Sequence, residues 1–281
     1  MLTAGELKAF LSTHDVRLTK RLGQHHLVDA RLAARLIDQI HLSRNETVVE
    51  IGAGLGALTE PLAAHAGRVI AVEVDRKICE LLRVRLAGCS NVSVFCEDIL
   101  SFSWTSHPRS VVVGAIPYHI TSPIFISLCD NRRAIREAWL ILQEEVAQRL
   151  LAQPGTKAYG RLSVLGQYCW EIASVMAIPR SAFFPQPEVD SVCLRLQPRS
   201  QPPVAVEDEP RLFEVVKAAF AHRRKTLMNC LSAHEPRLVD RAKAEALLRE
   251  TGLPLTVRGE QLSLEQFAAL ANALRRLNSL R

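Results

Sequence analysis

The chain has no C-x-x-C pair, no apolar run of membrane-spanning length, no internal repeat and no low-complexity tract, and aromatics make up only 5% of it. Each absence removes a class of protein. The seven cysteines, Cys79, Cys89, Cys96, Cys129, Cys169, Cys193 and Cys230, are odd in number and scattered. That pattern argues against a disulfide framework or a zinc cage, and no metal is expected. The cysteines read as small buried apolar residues in a reducing compartment. A membrane helix needs about 20 consecutive apolar residues. The segment MLTAGELKAFLSTHDVRLTKRLG is charged throughout and lacks the apolar core of a signal peptide. A cytoplasmic protein without a membrane partner is expected, and a monomer.

What is present suits a soluble globular chain: 281 residues, 48% hydrophobic and 23% charged, enough for one large domain and a small one. The net charge of +6 favours a polyanionic partner. Its distribution says more. Basic residues cluster at Lys20-Arg21, at Arg132-Arg133 and at Arg223-Arg224-Lys225, and three such clusters point to nucleic acid.

Apolar periodicity predicts an α/β chain. Residues 30–41, about 57–66 and 76–86 have helical spacing, whereas 47–51, 68–73, 92–95, 110–114 and 139–142 read as strands. Alternation of this kind implies βαβ units and a parallel sheet covered on both faces. Ser200-Gln201-Pro202-Pro203 reads as a linker. Beyond it only helical spacing remains, over 211–221, 223–232, 238–251 and 263–277, the last opening on the capping-box pattern Ser263-Leu264-Glu265-Gln266. The expected domains are 1–200 and a helical 201–281.

Glu50-Ile51-Gly52-Ala53-Gly54-Leu55-Gly56 follows a predicted strand and precedes a helix. Glycines there, Gly52 and Gly54 foremost, allow a tight turn and close approach to a ligand. Glu73, about 20 residues on at the end of the next strand, is placed to accept hydrogen bonds from both hydroxyls of a ribose. Asp98, after the third strand, is placed to hold an adenine amine. All three lie at carboxyl ends of successive strands, where open α/β sheets bind ligands. The spacing also suits NAD. S-adenosylmethionine is favoured because the run does not close as G-x-x-G, and because of Ala115-Ile116-Pro117-Tyr118 downstream. That tetrad resembles the Asn-(Leu/Ile)-Pro-Tyr signature of methyltransferases acting on the exocyclic amine of adenine, with Ala115 in place of the Asn.

Further blocks extend the likeness. Lys20 to Leu27 (KRLGQHHL) resembles K-R-x-G-Q-N/H-F-L, and Gln143 to Arg149 and Tyr159 to Ser163 resemble two middle blocks. Phe183 to Ser191 fits F-x-P-x-P-x-V-x-S, Phe220 to Asn229 fits F-x-x-R-R-K-T-L-x-N, and Arg258 to Ser263 fits R-A/P-E-x-L-S. Together they resemble the small-subunit ribosomal RNA adenine N6,N6-dimethyltransferases, over most of the chain. The R-R-K-T-L block and the helical C-terminal domain disfavour the large-subunit relatives.

The resemblance implies a Rossmann-like S-adenosylmethionine-dependent methyltransferase sheet with a small all-helical C-terminal domain. It implies methylation of two adjacent adenines in small-subunit rRNA, on an immature 30S particle. His25, Leu27, Gly52, Gly54, Glu73, Asp98 and Ala115 would hold the cofactor. Tyr118 and Phe183 would pack on the flipped base, Pro117 would fix the backbone, and the Ile116 carbonyl would accept from N6. Arg132, Arg133, Arg223, Arg224 and Lys225 would face phosphates. Two positions depart from the pattern. Ala115 removes one N6 acceptor, so the activity is either attenuated or replaced by a 30S-assembly role without catalysis. His26 stands where the family has Phe, in a block expected to fold over the cofactor.

Overall fold

In the computed structural model, residues 1–16, 18, 25–233 and 238–279 are described. Lys20 and Arg21, like the start of the KRLGQHHL block, lie outside them. In chain order the elements are α1 (Ala4–Thr13), β1 (His26–Leu27), α2 (Ala30–Ile40), β2 (Thr47–Ile51), α3 (Thr59–His65), β3 (Arg68–Glu73), α4 (Arg76–Arg85), β4 (Val92–Cys96), β5 (Ser110–Ala115) and α5 (Thr121–Asp130). Then follow β6 (Ile135–Gln143), α6 (Glu144–Leu151), α7 (Arg161–Cys169), β7 (Trp170–Ile178), β8 (Phe183–Phe184), β9 (Ser191–Pro198), α8 (Glu209–Ala219), α9 (Leu227–Ser232), α10 (Arg241–Glu250) and α11 (Leu264–Ser279).

Seven strands form one sheet in the order β4-β3-β2-β5-β6-β9-β7. The pairings from β4 through β6 are parallel, and β9 runs antiparallel to β6. The apolar runs of β2, β3 and β5 are buried nearly end to end, as expected of strands covered on both faces. Chain order reverses between β2 and β5, and that reversal opens a crevice at their carboxyl ends.

Local chemistry sets the helix starts beside this crevice. Asp29 caps α2 by accepting from Arg31 N and Leu32 N at 3.0 Å each. Asp75 caps α4 through Lys77 N at 3.0 Å. Glu73 and Asp75, two residues apart, thus have separate duties. Gly114 lets β5 close against β2, since a Cβ there would stand 2.8 Å from the Ile51 carbonyl oxygen. Gly114→Ala is expected to cost about 1–3 kcal/mol as an overpacked site, read as a lower midpoint in thermal denaturation.

The chain divides into two compact units, residues 1–147 with 172–198, and residues 148–171 with 199–281. The expectation placed 148–171 with the sheet, whereas this segment packs with the C-terminal helices. There Tyr159 donates its hydroxyl to the Leu262 carbonyl at 2.8 Å, and Gly155 N donates to the Glu260 carbonyl at 2.7 Å. The Tyr159 ring also meets Phe220 edge-on at 6.0 Å. Three of the sequence blocks therefore meet in one helical unit. The expected capping box is present: Ser263 N donates to Gln266 Oε1 at 2.9 Å, and Gln266 N to Ser263 Oγ at 3.4 Å. Among the described residues no helix is long and apolar enough to cross a membrane.

Candidate active site

A cavity of about 220 Å³ occupies the crevice at the carboxyl ends of the parallel strands. The glycine turn forms its floor. Gly52 and Gly54 both have left-handed backbone, at φ 68° and 54°, which glycine adopts without strain. Gly52 N and Ala53 N donate to the Val72 carbonyl, tying the turn to β3. A Cβ on Gly54 would fall 2.7 Å from His26 Nδ1, so the turn runs directly under that imidazole.

Glu73 fastens the turn to the next strand. Its Oε2 accepts from Gly54 N at 2.9 Å, and its Oε1 accepts from Val74 N at 2.9 Å and Asp75 N at 3.0 Å. Burial pushes its pKa up, and the three N–H donors oppose that shift. Oε1 has both lone pairs engaged, and Oε2, with one bond made, keeps capacity for a ligand hydroxyl. Asp98 is exposed; one oxygen caps a short turn by accepting from Leu100 N at 2.9 Å, and the other remains for a donor on a ligand.

Glu50, which opens the glycine block, takes its role from the fold. It is 2% exposed and accepts the Thr59 hydroxyl at 2.6 Å. Burial pushes its pKa up to about 8, the Thr59 bond works against this, and the charge of Glu73 adds to it. The available signal was a carboxylate inside an otherwise apolar strand, Thr47-Val48-Val49-Glu50-Ile51.

Of the expected residues, His25, Leu27, Gly52, Gly54, Glu73, Asp98, Ala115 and Pro117 line the cavity. Ile116, Tyr118 and Phe183 are not part of its lining. Ile116 is anchored by its N–H to the Ile141 carbonyl at 3.0 Å, with its side chain buried. Tyr118 stacks on His25, with ring centroids 5.4 Å apart and planes 26° apart. His25 Nδ1 lies 2.7 Å from the Pro185 carbonyl oxygen, which can only accept, so Nδ1 carries the hydrogen. Phe183 is 5% exposed and sits in the apolar core with Leu27 and Ile178. The antiparallel pairing Leu27↔Phe183 puts it there, so stacking on a base would require its ring to leave that packing.

The basic residues divide in the same way. Arg132 donates to the Cys129 carbonyl at 3.0 Å and is partly buried, while Arg133 is exposed. Arg223 is paired with Glu260 at 2.9 Å and also donates to the Lys157 carbonyl. Arg224 and Lys225 are exposed.

The lining chemistry fits S-adenosylmethionine. Among the described residues four acids (Glu50, Glu73, Glu97 and Asp98) and no Lys or Arg border the cavity, suiting a ligand of net positive charge. Glu73 suits a ribose, and the glycine cradle takes a group that a Cβ would exclude. Among the described residues no group of three or more His, Cys, Asp or Glu is placed to hold a metal.

Sheet order, glycine turn and paired acids define a Rossmann-like S-adenosylmethionine-dependent methyltransferase. The family of ribosomal RNA adenine dimethylases matches residues 16–276, and the chain belongs to that family. It is 41% identical over 97% of its length to the "Ribosomal RNA small subunit methyltransferase A" of Geobacillus sp. (strain WCH70), covering 97% of that protein. The protein of the same name from Bacillus mycoides (strain KBAB4) is also 41% identical, with 97% of this chain and 96% of that protein covered. Among solved structures, a dimethyladenosine transferase from Plasmodium falciparum superposes with a TM-score of 0.71 at 25% identity, covering 91% of this chain and 98% of that one. The 23S rRNA methyltransferase ErmE gives 0.62 at 30% identity, covering 89% and 99%.

Proposed function

We propose that this chain transfers methyl groups to N6 of two adjacent adenines in small-subunit rRNA, acting as a monomer on an immature 30S particle in the cytoplasm. The observation that carries this reading is the cavity that joins the glycine turn, Glu73, Asp98 and the Ala115–Pro117 segment at one sheet switch point.

S-adenosylmethionine, when bound, supplies an electrophilic methyl on a sulfonium. The work of this chain's residues is to bind, orient and polarise. Glu73 takes the ribose hydroxyls, and Asp98 the adenine amine of the cofactor. Adenine N6 is a poor nucleophile because its lone pair is shared with the ring. An acceptor on an N6 hydrogen draws the nitrogen toward a tetrahedral shape and stabilises charge as it develops. The Ile116 carbonyl serves as that acceptor, and Ala115 provides no second one. The target base leaves its stack to reach the cavity, and Tyr118 offers an aromatic face worth about 1–3 kcal/mol per stacked base. Positioning contributes most of the remainder.

The test is incubation with tritiated S-adenosylmethionine and immature 30S particles. Incorporation into small-subunit rRNA is expected, and none above a protein-free blank would sink the proposal. Ala115 favours a second reading, a 30S-assembly factor that docks without methylating. Tight 30S binding with methyl transfer appearing only in Ala115→Asn would select it.

The exposed Arg224 and Lys225 are proposed to meet phosphates. Replacing both by Ala is expected to flatten the slope of log K against log salt by about 1.5, at roughly 0.7–0.9 per phosphate contact. An unchanged slope in a filter-binding titration would assign these residues to a merely solvated surface.

A further inference from the structure

His26 occupies the position of a family Phe, and the structure gives its ring an unusual setting. β1 pairs His26 with Phe184 and brings the imidazole down on the glycine turn, inside the cavity wall. Its Nε2 is buried with no hydrogen-bond partner among the described residues. Buried polar atoms are normally satisfied, and a Phe here would leave none orphaned. His26 borders the cavity, so a ligand seated there can bring the ring a partner.

The cavity's donor inventory identifies which ligand group that is. Among its lining residues, only His25 and His26 carry side-chain N–H groups. His25 commits its Nδ1 hydrogen to the Pro185 carbonyl. The other polar side chains of the described lining are the acids Glu50, Glu73, Glu97 and Asp98, none of which has an N–H to offer an anion. S-adenosylmethionine carries one anionic group, the carboxylate of its methionine end. Among the described lining residues, the His26 imidazole is the uncommitted side-chain N–H that can meet it. Burial holds this ring well below the usual histidine range, at about pKa 4, so at neutral pH it is uncharged with one N–H to donate.

We propose that His26 is a cofactor-binding residue whose ring N–H donates to the carboxylate of bound S-adenosylmethionine. The residue replaces an apolar lid contact with a polar grip on the end of the cofactor remote from its adenine. The inference rests on the cofactor assignment above, which the same experiment checks separately.

The test is calorimetric titration of the full chain, without RNA, with two probes: S-adenosylmethionine and its decarboxylated analogue, which lacks only the carboxylate. His26→Phe is expected to weaken S-adenosylmethionine at least tenfold while changing the analogue less than twofold. His26→Gln, which keeps an N–H donor, should recover affinity to within about threefold of the wild type. Equal losses for both probes in His26→Phe would make the ring a packing element and overturn the proposal, as would undiminished binding of S-adenosylmethionine. A melting curve in the absence of ligand reports whether each variant is folded, and His26→Gln retains the test should His26→Phe not be. Failure of the wild-type chain to bind either probe would remove the cofactor reading itself, and the proposal with it.

Discussion

Ala115→Asn is expected to accelerate methyl transfer by roughly ten- to a thousandfold. Position 115 ends β5, is paired with Ile141 of β6, and lines the cavity beside Pro117. A methyl group there accepts no hydrogen bond, so in the proposed mechanism one N6 hydrogen of the target has no protein acceptor at this position. Losing an acceptor in a dry site costs about 1–3 kcal/mol, and up to ~4 where charge develops in the transition state. At 1.36 kcal/mol per decade these penalties give the stated range. The effect belongs in kcat rather than in cofactor affinity, because the added amide acts as the nitrogen changes shape. Single-turnover rates at saturating cofactor and 30S particle check it. A variant no faster than the parent would mean that Ile116's carbonyl, with the base-binding surfaces, already supplies all the polarisation this site can use.

The second large effect concerns Glu50 and pH. Burial places its folded-state pKa at about 8, above its usual value of 4.5. A carboxyl raised in this way contributes stability that is fully present below about pH 4.5. That stability is lost as pH rises toward 8, because the unfolded chain ionises first. The melting temperature of the ligand-free protein should therefore fall between about pH 5 and 8. Glu50→Gln keeps an acceptor for the Thr59 hydroxyl and removes the titration. Its stability gain over the parent should grow with pH at up to roughly 1.4 kcal/mol per unit. The same charge serves the cofactor. A cationic ligand favours ionised Glu50, so wild-type affinity for S-adenosylmethionine should rise from pH 6 to 8, while Glu50→Gln binds more weakly and with a flatter profile. Parallel melting and titration series test both signs, and a wild-type melting point constant across that range would refute the account.

The parallel half of the sheet was legible in sequence because its strands are covered on both faces. The runs at 47–51, 68–73 and 110–114 are dominated by Val, Ile and Ala, and they match β2, β3 and β5 to within one residue. The glycine turn and Glu73 were legible because their chemistry is local: a left-handed turn and an acid at a strand end. What escaped was set by distant contacts. β7 lies at the sheet edge with much of its length exposed, and its pattern lacks a clean period. β8 is two residues long and exists only because β1 pairs with it. The same pairing carries Phe183 into the core, although its proline-rich surroundings suggest a surface loop. Segment 148–171 joins the helical unit through backbone carbonyls of residues 260 and 262, which no local pattern announces. Glu50 was visible as a letter, but its altered acidity comes from complete enclosure by the fold.

Glu73's three backbone hydrogen bonds have a kinetic meaning for a cofactor that must be exchanged after every methyl group. The carboxylate holds Gly54, Val74 and Asp75 in place from within the protein. The turn therefore keeps its shape through internal bonds, without a ligand to order it. The proposed double methylation of two bases requires four cofactors in succession, each spent one leaving before the next arrives. A glycine turn that stays folded between visits need not be rebuilt at each exchange, so successive transfers can proceed while the RNA stays engaged.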